Sequence, residues 1–159
     1  MDAESEKLLA HVIRNTRIAT LSTLRDEEPL SSMVPFVPLE DFSAFYIHVS
    51  RLAQHAVDMK KKKQVSLLIA ETDDCRLDPQ TFARVSIRGS AEILENGVPG
   101  YTPLKELYLA RFPAEAAMFQ LDDYNFWRIR PKGGRYVAGV AKAYNITVET
   151  LQKVSERLI

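Results

Sequence analysis

Leu8, Leu9, Val12 and Ile13 recur at helical spacing among Glu4, Glu6, Lys7 and Arg14, so the chain is predicted to open with an amphipathic helix. From Arg17 the period shortens. Residues 18–24 read as a strand, 25–29 as a turn, 30–38 as the returning strand, 39–41 as a second turn and 44–49 as a third strand. Short polar links between the three predict an antiparallel meander. Leu52, Ala56 and Met59 then give a core-facing stripe to a short helix over 52–61. Residues 65–70 form an apolar strand, followed by a polar loop over 71–79. The run 84–88 alternates strictly, with Val85 and Ile87 on one face, and Gly89 marks a bulge before the strand resumes through Ala91 and Ile93. Helical patterns cover 104–112 and 114–119, separated by Pro113. Two strands, 125–130 and 135–140, are expected to meet at a turn over 131–134, and Val148, Leu151, Val154 and Leu158 set the stripe of a C-terminal helix.

Seven or so strands exclude a helix bundle, and links this short exclude the crossovers of a doubly wound parallel sheet. The pattern is mainly β with peripheral α, an antiparallel barrel, and 159 residues suit a single domain over 1–159. The hydrophobic content of 46% supports a globular core, and a formal charge of zero gives no whole-molecule field for nucleic acid. No apolar run reaches the roughly 20 residues a membrane helix needs. The acidic start Met1-Asp2-Ala3-Glu4 lacks a secretory apolar region, so a cytoplasmic location is expected. Cys75 is the lone cysteine, which removes an intrachain disulfide or a cysteine-based zinc site, and the three histidines have no paired metal spacing.

The most informative stretch is Ser50-Arg51-Leu52-Ala53-Gln54-His55, where a strand gives way to a helix. Ser50 is a suitable N-cap, and the first helical N–H groups lack intrahelical partners and carry the positive end of the dipole. Arg51 and His55, four apart, are expected on one face, so an anion there would meet amides, a hydroxyl, a guanidinium and an imidazole. An ordinary capped helix start with two exposed polar residues explains the same segment.

Residues 45–55 as a whole resemble the FMN-phosphate region of pyridoxamine 5'-phosphate oxidase-like FMN-binding split barrels, in the branch related to haem-utilization proteins. Residues 30–36 (LSSMVPF) resemble the flavin-facing strand of that family. Residues 78–89, with Ala83-Arg84-Val85 and Gly89, resemble its "ARV-x-x-x-G" strand, and 126–139 its closing hairpin. Four stretches in the same order cover about residues 5 to 145.

This resemblance implies an antiparallel split β-barrel that acts as a homodimer, with FMN at the subunit interface and a small-molecule redox substrate. By it Ser32, Met33, Val34 and Pro35 line the isoalloxazine, Ile47 and His48 lie beneath it, and Ser50, Arg51, Gln54 and His55 hold the phosphate. Arg84 occupies a flavin-contacting strand position, and Lys142, just after the last strand, reaches the partner's flavin. Ser32 and His55 stand where relatives often carry lysine or arginine. The flavin supplies the redox chemistry and the protein its binding and orientation. Two alternatives stand beside this FMN oxidoreductase: a haem-binding or haem-utilization protein on the same fold, and a non-enzymatic flavin-binding module.

The remaining features have plainer readings. Lys60-Lys61-Lys62-Lys63 could attract an anionic partner, but a solvated helix end favoured by the dipole is the expected reading. His11 is a surface residue, Cys75 lacks a motif for nucleophilic catalysis, and Trp127 is core or dimer interface.

Overall fold

The computed structural model describes residues 1–157, so Leu158 of the C-terminal stripe lies outside the described residues. Helix α1 (Ala3–Asn15) is capped by Asp2, whose carboxylate accepts from the Ser5 amide, and it buries Leu9, Val12 and Ile13. Strands β1 (Ile18–Arg25) and β2 (Glu28–Pro35) form a hairpin closed by Asp26 and Glu27, both at positive φ (48° and 72°), the turn that matches strand twist.

Strand β3 (Val37–Pro38) pairs with β4 (Phe45–Ser50), and here the expected meander fails. Beyond β3, β4 pairs with β7 (Tyr124–Gly139), not with β2. With β5 (Gln64–Ala70) and β6 (Arg84–Leu94) the order is β2-β1-β5-β6-β7-β4-β3, and β8 (Lys142–Ile146) pairs with β7. The two edges of this sheet, β2 and β3, are consecutive in the chain, with Phe36 alone between them. Joining opposite edges by one residue forces the sheet to curl until they converge, so it forms a barrel split at Phe36. Phe36 itself is fully buried.

The expected break at 131–134 is also absent. β7 runs through it as one 16-residue strand, because a Cβ on Gly134 would lie 2.0 Å from the Ser86 carbonyl oxygen and Gly133 takes φ 143°. Paired glycines here let β6 approach and the strand bend rather than reverse. The actual reversal comes later, at Val140 and Ala141 (φ 62°), and leads into β8. The bulge expected at Gly89 is present as a register shift between Arg88 and Gly89.

Leu21, Leu67, Ile87 and Trp127 fill the barrel with α1, the buried face of α2 (Gln54–Lys61) and Leu151 of α4 (Val148–Ser155). A second apolar layer lies outside it, where Tyr46 and Phe126 meet Leu104 and Tyr108 of α3 (Tyr101–Arg111) and Phe112. After Pro113 the chain continues as a 3-10 helix, Pro113–Gln120. Among the described residues no helix is long and apolar enough to cross a membrane.

Candidate functional site

Strand alternation sorts the flavin-lining candidates onto two faces. Ser32 and Val34 point into the barrel, where Val34 is buried, whereas Met33 and Pro35 point outward and Met33 is 66% exposed. As β2 is an edge strand, one side of its backbone is unpaired. Ile47 and His48 likewise face apart. Ile47 is in the barrel core, while His48 lies under α3, stacked on Phe119 at 3.9 Å between ring centres and flanked by Tyr108, Tyr124 and Phe126. Burial, with the charge of Lys105 adding to it, holds the His48 imidazole down at about 4, so it is neutral at pH 7. Its Nδ1 has no hydrogen-bond partner among the described residues.

The expected phosphate cradle is differently built. α2 begins at Gln54 with Ala53 as its uncapped N-cap, so Ser50 is not the helix cap. The Ser50 hydroxyl donates to Asp123 Oδ2 at 2.5 Å and accepts from the Leu52 amide at 3.1 Å. Arg51 precedes the helix and does not share a helical face with His55; its backbone N–H donates to the Asp123 carbonyl and its guanidinium to the Asp122 carbonyl at 3.1 Å. Leu52 is 83% exposed and takes no part in the core. Gln54 donates to Asp58 Oδ1 at 2.8 Å. His55 is half-buried with a buried, unpartnered Nε2, and burial lowers its pKa against the opposing pull of Asp58. The fully exposed polar side chain of an ordinary helix start is therefore not what folds at His55. Nothing in the local pattern signalled Asp122 and Asp123, which stand 71 and 73 residues from Arg51 and Ser50 and which the Ser50–Tyr124 pairing of β4 with β7 brings alongside.

Arg84 donates to the carbonyls of Gln80 and Phe82. Lys142 begins β8, a strand missed in the sequence, and lies 3.8 Å from Asp2 and 3.9 Å from Glu4 of its own α1. Trp127 is 2% exposed inside the barrel, so it offers no surface to a partner. Among the described residues no group of three or more metal-ligating side chains is placed to hold a metal ion.

A surface that sequence reasoning passed over is the outward face of β2, β1, β5 and β6. Met33, Thr20, Leu68 and Ser86 stand abreast across the four strands, and Ser31, Ser22, Ser66 and Arg88 form the next row. Ile18 (52% exposed) and Leu68 (40%) occupy outward positions that a solvated sheet fills with polar residues. The three serines form a polar row beside these apolar groups, with the Ser22 and Ser31 hydroxyls 3.3 Å apart. Arg88 is exposed with no hydrogen-bond or ion-pair partner among the described residues. The signal was present in the alternation: Ile18 and Leu68 are apolar where the period calls for polar residues.

An eight-stranded, mainly antiparallel sheet curled into an unclosed barrel with peripheral helices is a split β-barrel. Residues 5–138 match the family described as pyridoxamine 5'-phosphate oxidase, and the chain belongs to that family. It is 34% identical over 127 residues to the chloroplastic non-canonical heme oxygenase HOZ of Arabidopsis thaliana, a match covering 80% of this chain and 37% of HOZ. It is 26% identical over 126 residues to the heme oxygenase HutZ of Vibrio cholerae, covering 77% of this chain and 69% of HutZ. The same fold occurs in a heme binding protein from Mycobacterium smegmatis, with a TM-score of 0.84 at 23% identity over 96% of this chain and 62% of that one. The chain thus spans little more than a third of HOZ and under two thirds of the mycobacterial protein.

Proposed function

We propose that this chain binds haem on its outward sheet face, as a homodimer that packs two such faces around the ligand. The observation that carries this reading is the face itself: Ile18, Met33 and Leu68 exposed beside a row of serines that ends in the unpaired Arg88. A flat apolar macrocycle with two carboxylates suits that mixture, and a contiguous apolar patch on a soluble sheet commonly marks a binding surface. The names of the relatives in Arabidopsis and Vibrio support the same class of ligand. Bound haem supplies iron and oxygen chemistry, while Arg88 would hold a propionate and the apolar rows would exclude water.

Haemin titration followed by absorbance tests it. A saturable Soret band is expected, and Arg88→Glu should weaken binding about ten- to a hundredfold, the value of one charge-assisted contact. Light scattering should give twice the 18.0 kDa chain mass, and Met33→Glu should shift it to the monomer. Haem binding unchanged in both variants removes the face from the reading.

FMN is the second reading, favoured by the unpaired backbone edge at Ser32–Pro35 and by the family to which the chain belongs. Against the phosphate cradle stands the Asp123 carboxylate, already bonded to Ser50. Flavin fluorescence titration separates the two: FMN bound in place of haem, with Arg51→Ala at least tenfold weaker, would favour the flavin reading, and turnover of the bound flavin between a reductant and a small-molecule acceptor would mark an oxidoreductase rather than a non-enzymatic flavin module.

A further inference from the structure

Beyond the cofactor reading, and independent of it, a cleft of about 780 Å³ opens at the other end of α2. Three parts of the chain meet there: Leu24 and Glu27 of the β1–β2 hairpin, Lys61, Lys62, Lys63 and Gln64 of the α2–β5 link, and Ser90 with Lys132 where β6 meets β7. We propose that this cleft is a binding site for an oligophosphate, a chain of two or more phosphates, either free or carried on a nucleotide.

Four lysines line it against one acid, Glu27. Among the described residues none of the four has a carboxylate within ion-pair distance, although nine ion pairs form elsewhere. Two of the acids that could have neutralised them are occupied, and Asp26, which lines an adjoining cleft with Lys61 and Lys62, stays beyond ion-pair distance. Asp58 accepts from Thr23, Arg25 and Gln54, and Glu92 is held by Arg128 and Arg130. Like charges gathered in one concavity repel each other and concentrate counter-anions.

The helix dipole explains only part of this. It favours cations in the last turn, where Lys60 and Lys61 lie. Lys132 comes from a strand about 70 residues further on, and it reaches the cleft through the bulge. Arg88 pairs with Gly133 and Gly89 with Pro131, so Lys132 is the extra residue with no partner on β6. Bulges re-aim side chains in this way, and here the re-aimed residue adds a fourth cation to a cluster built by another element.

The residue types suit a multiply charged anion. Lysine is a compact, strongly hydrated point charge with three rotatable donors, and it binds phosphate as such a charge without needing a fixed planar fork. No arginine lines the cleft. Its volume falls in the range of small-molecule sites, far more than one phosphate fills. Gln64 and Ser90 add neutral donors, and Leu24 an apolar wall. Eight residues of helix, about 12 Å, separate this cluster from Ser50 and Arg51.

Isothermal titration of the full chain with tripolyphosphate, orthophosphate and ATP at about 50 mM salt, where screening is moderate, tests the site. One tripolyphosphate per chain is expected, bound at least about tenfold tighter than orthophosphate and weakening as salt rises. Lys132→Gln and Lys63→Gln should each cost about fivefold or more. Glu27→Gln should tighten binding, and Lys7→Gln, which removes the same charge from exposed α1, should change it less than about twofold. ATP binding more tightly than tripolyphosphate identifies a nucleotide as the source, and equal or weaker binding an inorganic chain. Absence of binding, or equal losses for Lys7→Gln and Lys132→Gln, overturns the proposal, the second because it indicates diffuse attraction without a site. Far-UV circular dichroism of each variant confirms that lost binding is not lost folding.

Discussion

The two ends of α2 are both rich in polar residues, yet the fold treats them in opposite ways. At the N-terminal end three of the four side chains expected to hold an anion are already bonded, Ser50 to Asp123, Arg51 to the Asp122 carbonyl and Gln54 to Asp58, and the fourth, His55, turns its unpartnered Nε2 into a buried position. At the C-terminal end Lys61, Lys62 and Lys63 converge with Lys132 in a cleft whose one acidic wall residue is Glu27, and none of the four forms an ion pair among the described residues. By sequence the first end looked like an anion site and the second like a solvated helix terminus. What separates them is β7, which delivers two aspartates to one end and a lysine to the other. Binding capacity follows from what other elements leave unsatisfied, and a motif read along one segment lacks that information.

Acidification should have the largest effect, through His48 and His55 at the N-terminal end. His48 leads into this end and is held at about 4 by burial, against roughly 6.5 in an unfolded chain. Between those values the unfolded chain binds a proton that the folded one refuses. The folded state is therefore favoured fully above pH 6.5 and loses stability as pH falls through the window, by about 3 kcal/mol at its lower limit. His55, also lowered by burial, adds in the same direction. His48→Phe, which fits the aromatic layer and removes an unpartnered nitrogen, should flatten most of the slope. Urea unfolding between pH 7.5 and 4.5 decides it; equal losses in both proteins would place the proton uptake elsewhere.

Asp58 links the two ends, because its buried carboxylate accepts from Gln54 on one side and from Thr23 and Arg25 of β1 on the other. Asp58→Ala should cost about 2–3 kcal/mol, mostly by leaving buried donors unpaired, and should reduce the urea midpoint without changing the slope. A cost under about 0.5 kcal/mol would mean that the ends are not coupled through this residue.

A smaller change is expected at the hairpin turn. Glu27 sits at φ 72°, which disfavours a side chain, so Glu27→Gly should stabilise the fold by about 0.5–1 kcal/mol in thermal unfolding. It also removes the acid that lines the cleft, so stability and tripolyphosphate affinity should rise together. Affinity that falls would reverse the sign assigned to Glu27.

Arg51→Ala should have the smallest effect on stability, within about 0.5 kcal/mol, since its guanidinium is exposed and bonded to one carbonyl. A larger loss would make Arg51 a strut between β4 and the Asp122 turn rather than a residue available to a ligand.

Local periodicity was enough to read most of the strands and helices, β8 and the continuity of β7 excepted. The alternation of Val85 and Ile87, the bulge at Gly89, the break at Pro113 and the stripe of α1 are all present, because each depends on residues a few positions apart. The errors share a cause. Pro131-Lys132-Gly133-Gly134 has turn composition, but contact with Ser86 of β6 turns its glycines into a bend within one strand. Ser50 has N-cap chemistry, but Asp123 claims its hydroxyl. The meander followed from short links, whereas β4 found its partner about 80 residues downstream in β7. Periodicity and turn chemistry are set by near neighbours, so the sequence by itself determined the family, the mainly antiparallel β class and most element positions. Strand partners, the filled or unfilled state of each donor, and the meeting of Lys132 with Lys61–Lys63 are set by contacts between distant segments, and these only the tertiary structure decided.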